Sequence, residues 1–114
     1  MVLRDVAFEP TFHKWTGEVC YGFQLHITDR QAFQPYFTTL ALLWVIRRLY
    51  PEQFSGRQPP YEYESKRPPI DLLIGNAAIR EGIDAGRELA ELEAAWQPDL
   101  QVFIKASREF WLYP

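Results

Sequence analysis

The sequence contains a single cysteine, Cys20, among its 114 residues. One cysteine excludes an intrachain disulfide and a cysteine-rich metal site, and it leaves the redox compartment open. The longest apolar run, residues 40–46, is far shorter than the roughly 20 residues that a membrane-spanning helix needs. The N-terminal residues also lack the apolar core of a signal peptide. We therefore expect no membrane partner, and the localisation stays unknown.

The sequence also lacks a large net charge of either sign. Twelve basic and fifteen acidic residues give a net charge of -3 and a pI near 5.3, so no general field attracts nucleic acid. What the chain does have is apolar residues, at 47%, including 16% aromatics. This composition is far from that of disordered chains, and the length is typical of one domain. We expect a single folded domain over residues 1–114.

Residues 6–28 alternate between apolar and polar side chains with the period of two that is typical of strands. Within residues 20–28 the odd positions predict a core face, and the even positions predict a small, polar face. The predicted core face comprises Tyr21, Phe23, Leu25 and Ile27. Val6 and Phe8, with Phe12 as a further candidate, indicate a partner strand, and Gly17 suits the turn between the strands. An antiparallel pair follows.

Helical patterns occupy most of the remainder. They cover residues 35–49, 76–85 and 87 onward, while 70–74 fits a helical turn or a short strand. The first helix is apolar nearly all the way round and should be covered on several sides. Pro98 predicts a kink or two abutting helices. The aromatic residues 110–113 should fold back onto the body or onto a partner. The predicted class is α+β, a small antiparallel β-sheet packed against three or four helices.

No acid and base pair of the kind that sugar hydrolysis needs is evident. The candidate carboxylates are Glu9, Glu18, Asp29, Glu62 and Glu64. Glu62 and Glu64 would share a face if residues 61–64 form an extended edge, but a solvated strand edge explains them better. We therefore predict no catalytic residue in this chain.

Cysteine and metal chemistry have little support. Cys20 and His26 would lie roughly 20 Å apart along one strand, at about 3.3 Å per residue, so only His13 could approach the thiol. A small, buried structural cysteine is the favoured interpretation. His13 and His26 offer only two metal ligands, and no phosphate-binding glycine motif occurs. We expect no metal and no cofactor.

A polar surface stands out near the predicted strands. Gln24, His26 and Thr28 share one face, and Thr11, His13 and Lys14 precede it. Such side chains form hydrogen bonds with sugar hydroxyl, acetamido and carboxylate groups, and the aromatic rings of Trp15, Tyr21 or Tyr61 suit a sugar ring. The alternative is a sheet face that is polar because it meets water.

The segment of residues 8–29, FEPTFHKWTGEVCYGFQLHITD, resembles the opening of the C-terminal domain of NamZ-type exo-β-N-acetylmuramidases. The shared pattern is F-x-P-T-F-x-K-x-x-G-x-x-C-x-G-x-x-x-H-V-T-D. The resemblance continues through residues 40–43, 48–51, 61–63, 70–75, Trp96 and 99–100. Tyr21, where the pattern has glycine, and Pro98 depart from it.

The resemblance implies a bacterial parent protein that removes N-acetylmuramic acid from the non-reducing end of peptidoglycan fragments. It places the catalytic groups in a larger, Rossmann-like N-terminal domain that is absent here. This chain would shape the substrate cleft, with that domain and either a muropeptide or another sugar that contains N-acetylmuramic acid as its partners. The residues expected at the interdomain cleft are Thr11, Lys14, Gln24, His26 and Asp29.

Structural roles remain open for these residues. Lys14 would pair with an acidic neighbour, Asp29 would cap a turn, and His26 would be packed and hydrogen-bonded. The rival function is an independent binding or protein-interaction module that docks through its aromatic tail, and a stand-alone enzyme using Cys20 and His13 is a third. Apolar surface left by a missing partner would favour a homo-oligomer of the isolated chain.

Overall fold

The computed structural model describes residues 1–113, which contain a two-stranded antiparallel sheet and four α-helices. The predicted α+β class is confirmed. In chain order the elements are β1 (Val2–Phe8), β2 (Cys20–His26), α1 (Pro35–Leu49), α2 (Pro69–Ile74), α3 (Ala77–Asp84), α4 (Leu89–Ser107) and a short 3-10 helix (Arg108–Phe110). The chain forms two compact units, Met1–Pro35 and the part from Tyr36 onward.

The first unit is a β-hairpin with a long connection. β1 and β2 pair antiparallel, from Val2 opposite His26 to Phe8 opposite Cys20, which confirms the predicted pair. The second strand ends at His26, two residues before the predicted Thr28. Phe12 lies in the connection between the strands and not in β1.

The predicted core face of this hairpin is wrong. The side chains of Tyr21 and Phe23 are 84% and 66% exposed, and Leu25 and Ile27 are exposed as well. The partly buried residues of β2 are instead Cys20 and Gly22, on the even face. The ring of Phe8 lies close to Gly22, since a Cβ atom added there would be 3.6 Å from it. Residues 1–35 contain only two strands and no second layer, and such a hairpin cannot enclose a core by itself.

The second unit has a small apolar core at the contact of three helices. Four buried residues form it, and four partly buried ones pack around them. The buried residues are Leu40, Ile79, Ile83 and Leu92, and the surrounding ones are Trp44, Ile74, Leu89 and Trp96. The Tyr36 hydroxyl adds a tie by donating to the carbonyl of Ile74 at 3.0 Å. Its ring meets that of Trp96 edge to face, with centroids 5.4 Å apart.

Helix α1 has the predicted bounds, residues 35–49. The prediction that it would be covered on several sides is wrong for the described chain. Only Leu40 is fully buried, while Val45 is 43% exposed and Ile46 is 40% exposed. One side of α1 therefore packs, and the opposite side presents apolar surface.

The capping predictions for the central helices are confirmed. Residues 70–74 are helical, within α2, and Gly75 ends that helix with a left-handed φ of 80°. The side chain of Asn76 then accepts a hydrogen bond from the backbone N–H of Ala78 at 2.8 Å and so caps α3. Gly86, with φ of 71°, follows the end of α3.

The C-terminal part differs from the prediction in three ways. Helix α4 starts at Leu89, close to the predicted start near Arg87, but it continues through Pro98, so the two-helix alternative is wrong. Residues 61–64 form a tight turn closed by a bridge between Tyr61 and Glu64, with left-handed backbone at Glu62, instead of an extended edge. Residues 110–113 do not fold back onto the body, because their side chains are 57% to 88% exposed.

Candidate functional site

The five residues predicted for the cleft all lie in the hairpin unit. Thr11 and Lys14 belong to the connection of residues 9–19, which we call the hairpin loop. Gln24 and His26 lie on the even face of β2, opposite Arg4 and Val2 of β1. Asp29 follows the end of β2. All five side chains are exposed in the described chain.

The hairpin separates these residues into two groups. Strand β2 leaves the loop at Cys20 and ends at His26. The six steps between these residues span roughly 20 Å at about 3.3 Å per residue. Thr11 and Lys14 are therefore at the loop end. His26 and Asp29 are at the open end, and Gln24 lies between them. The unit does not gather all five around one point.

The structural alternatives for three of these residues have different outcomes. Asp29 does cap a turn, because its Oδ1 atom accepts from the N–H groups of Gln31 at 2.9 Å and Ala32 at 3.2 Å. His26 is exposed, so packing does not explain its presence. Within residues 1–113, no carboxylate forms an ion pair with Lys14. Its ammonium group projects from an exposed position on the loop.

The hairpin loop has an unusual backbone. His13, Trp15 and Gly17 have positive φ angles of 63°, 64° and 79°. Gly17 is the turn glycine that the sequence predicts, but left-handed backbone at histidine and tryptophan has no sequence signal, since these residue types seldom adopt it. The loop is fixed by hydrogen bonds from Gly17 N to Pro10 O at 3.2 Å and from Glu18 N to Trp15 O at 3.0 Å.

The carboxylate of Glu64, in the second unit, has structural partners. Its Oε1 atom accepts from the N–H groups of Lys66 at 2.8 Å and Arg67 at 3.2 Å, and its Oε2 atom accepts from Arg67 Nε at 2.8 Å. These bonds lower the pKa of Glu64 to about 2, the Lys66 amide contributing most. A carboxylate so strongly held in its ionised form is not suited to donate a proton near neutral pH.

A second carboxylate, Asp71, is held by arginine. Its Oδ1 atom accepts from Arg80 Nε at 2.6 Å, and its side chain is nearly buried. This bond raises the pKa of Arg80 further above its usual value. The pair joins α2 to α3, and Arg80 also contacts Glu81 and Asp84. Sequence reasoning missed this network because acidic and basic residues at such spacings are common on exposed helices.

Cysteine and metal chemistry find no support in the geometry. The thiol of Cys20 is half-buried and points at the carbonyl of Glu18, 3.7 Å from Sγ. His13 makes its ring contact with Phe12, with centroids 5.0 Å apart, and not with the thiol. The described residues include no group of three or more side chains placed to hold a metal ion. They also include no helix long and apolar enough to cross a membrane.

Comparison with known proteins decides the family. Residues 1–113 match the family model described as "Exo-beta-N-acetylmuramidase NamZ, C-terminal". The chain belongs to the NamZ C-terminal family. Over 113 residues it is 34% identical to the peptidoglycan beta-N-acetylmuramidase NamZ of Bacillus subtilis (strain 168). That alignment covers 99% of this chain and 25% of the relative, so the chain spans about a quarter of the length of the curated relative that it matches.

Membership of the NamZ C-terminal family confirms the resemblance that residues 8–29 indicated. The match runs beyond that segment, across both compact units of the described chain. No solved structure matches the chain.

Proposed function

We propose that this chain is the accessory, cleft-shaping C-terminal domain of a peptidoglycan exo-β-N-acetylmuramidase and is not catalytic alone. In this proposal residues 1–114 act as one domain beside a larger, Rossmann-like N-terminal domain that carries the catalytic groups. The observation that carries the proposal is the family match over residues 1–113, together with a muramidase relative four times as long as the matched region.

The chemistry of the described carboxylates supports an accessory role. Hydrolysis of a glycosidic bond uses one carboxylic acid to protonate the leaving oxygen and a second carboxylate as base or nucleophile. Glu64 is kept ionised by two amides and Arg67, and Asp71 is bound by Arg80. The candidates at residues 62 and 64 also no longer share a strand face, because residues 61–64 form a turn.

The five exposed residues of the hairpin receive distinct proposed roles. Thr11 and Lys14 would contact the substrate from the loop end, and Gln24 and His26 would contact it or the larger domain from the even face of β2. Asp29 would hold the turn after β2, since its carboxylate already accepts two backbone hydrogen bonds. The proposed partners are thus the catalytic domain and a muropeptide or another sugar that contains N-acetylmuramic acid.

A direct experiment compares this chain alone with a reconstituted pair. The Bacillus subtilis relative is produced without the quarter that this chain matches, and release of N-acetylmuramic acid from a muropeptide is measured with and without added chain. The account expects no release by the chain alone and increased release by the pair. Release by the chain alone would contradict the accessory role, and it would be examined with Cys20→Ala, which removes the only thiol.

The second candidate function is an independent protein-interaction module. It is favoured by the aromatic C-terminal residues, which are exposed although they are strongly apolar; Phe110 is 80% exposed and Leu112 is 88% exposed. A truncation after Ser107 separates the two functions. Loss of the tail should leave reconstituted muramidase activity intact if the cleft is formed by the hairpin, whereas a docking module would lose its partner.

A further inference from the structure

The backbone of the hairpin loop alternates in hand between His13 and Gly17. His13, Trp15 and Gly17 have positive φ, whereas Lys14 and Thr16 between them do not. Successive residues of opposite hand direct neighbouring N–H groups toward one concave side, and proteins use this arrangement to bind anionic groups. Left-handed backbone at two bulky residues is unfavourable, and such outliers are concentrated at ligand sites.

The amide groups of this turn are available and fixed. The loop is held by the bonds of Gly17 and Glu18 given above and by the hydroxyl of Thr16, which donates to the carbonyl of His13 at 2.7 Å. None of these bonds uses the N–H of Lys14, Trp15 or Thr16. A ligand would therefore meet donors that need little reordering, which lowers the cost of binding.

The hairpin loop carries Glu9 and Glu18 near its two ends, and Lys14 is the cationic residue at its middle, where an anion with an apolar body would bind. Lys14 brings an ammonium group without a carboxylate partner in the described chain, and the imidazole of His13 is adjacent to it in sequence. Phe12 and Trp15 are 71% and 63% exposed on the same loop, so rings are present beside the amides. Charge-assisted hydrogen bonds to a carboxylate are stronger than those to a neutral acceptor.

The geometry points to a carboxylate-binding site formed by the N–H groups of Lys14, Trp15 and Thr16 and by the Lys14 ammonium. Resting on the proposed function, the carboxylate is the lactyl group of an N-acetylmuramic acid unit that carries no peptide, because in a muropeptide this carboxyl group is bound to the peptide as an amide. That group is the chemical difference between N-acetylmuramic acid and N-acetylglucosamine, the two sugars of peptidoglycan. The hairpin loop would then select the muramic acid unit at the cleft.

The test uses the isotopically labelled chain and three sugars. N-acetylmuramic acid, its methyl ester and N-acetylglucosamine are titrated separately, and the amide resonances of residues 14–16 are followed by NMR. The inference expects saturable downfield shifts with N-acetylmuramic acid and much smaller shifts with the two uncharged sugars. Added salt should weaken the binding, because screening reduces attraction at an exposed site.

Side-chain variants provide matched controls. Lys14→Ala should weaken binding of N-acetylmuramic acid by about tenfold, whereas Lys66→Ala, which removes the same charge from an exposed turn of the other unit, should leave it unchanged. Trp15→Gly retains the amide and allows the left-handed φ, so it should keep the preference for the charged sugar over its ester. A preserved preference in that variant would show that the indole ring is not the source of the selectivity.

Three results would overturn the inference, and two of them leave the proposed function standing. Equal shifts of residues 14–16 with all three sugars would show sugar contact without carboxylate recognition. Shifts confined to Gln24, His26 or Asp29 would place the sugar at the other end of the hairpin. Absence of any shift would remove the site from this chain, and the reconstitution assay would then decide the accessory role separately.

Discussion

Close packing between α3 and α4 in the second unit leaves no room for a side chain at Gly82. Gly82 is buried, and a Cβ atom at this position would overlap with Cδ2 of Leu92, whose side chain is fully buried. Alanine is the better helix former by at most about 1 kcal/mol, while overpacking a core costs about 1–3 kcal/mol. We expect the steric effect to prevail because Leu92 is itself packed in the core with Leu40, Ile79 and Ile83.

We therefore predict that Gly82→Ala lowers the free energy of unfolding by about 1 kcal/mol or more. Urea denaturation measures it, with Gly56→Ala as the matched control, because a Cβ atom at Gly56 meets nothing within 4 Å. Equal stability of the two variants would mean that α3 and α4 are farther apart than described.

The hydrogen bonds of Glu64 predict how the turn of residues 61–67 responds to a fall in pH. The pKa of Glu64 is lowered from 4.5 to about 2 by the amides of Lys66 and Arg67 and by the Arg67 side chain. A carboxylate with a depressed folded pKa stabilises the folded state above the unfolded value, and this contribution is lost as the pH falls from about 4.5 through about 2. The turn of residues 61–67 should loosen only in that window.

NMR titration of the Glu64 carboxyl carbon checks this value. The expected midpoint is near 2 in the parent chain and higher in Arg67→Ala, which removes one of the hydrogen bonds. A midpoint near 4.5 in the parent chain would show that the turn is open in solution.

At the scale of elements, predictions of local structure succeeded where one residue has a specific role. Pro35, Gly75 and Asn76 mark helix ends, and each lies where its backbone preference predicts. The alternative of two abutting helices at Pro98 was wrong, because α4 runs through this residue. Proline removes one backbone donor, and this helix of 19 residues continues past it. Propensity alone does not decide when a long helix tolerates a proline.

The N-terminal cap of α3 allows an element-scale test. The Oδ1 atom of Asn76 satisfies the otherwise free N–H of Ala78. Asn76→Ala should lower the free energy of unfolding by about 1 kcal/mol, and Asn76→Asp, which keeps an acceptor, should be close to the parent. Hydrogen exchange at the Ala78 amide reports the local effect. Unchanged protection in Asn76→Ala would contradict the cap.

Faces of elements were predicted less well than their positions. Alternation in β2 correctly separates Tyr21 and Phe23 from Gln24 and His26, but it does not indicate which face becomes buried. Burial depends on what packs on the sheet, and a two-stranded unit has no second layer of its own. The positive φ angles of His13 and Trp15 could likewise not be predicted, since only Gly17 carries a sequence signal for such a backbone.

For the whole molecule, the extent of exposed apolar surface is the main consequence. Phe23 on the sheet and Phe103 near the end of α4 are both about two-thirds exposed. Surfaces of this kind are usually covered by a partner. We therefore expect the isolated chain to self-associate as its concentration rises.

Sedimentation measures this association. Phe103→Ser combined with Leu112→Ser should reduce it, because both side chains are exposed and neither belongs to the buried core. A parent chain that remains monomeric at high concentration would contradict the expectation.

The central claim is that this chain completes a muramidase without supplying its catalytic groups. The most direct test replaces the matched quarter of the Bacillus subtilis relative with this chain and compares release of N-acetylmuramic acid from a muropeptide with that of the relative lacking the quarter. The account predicts that the deletion loses activity by about 100-fold, as expected when substrate is no longer positioned, and that the replacement restores it. Full activity of the deletion, or none from a folded replacement, would contradict the account.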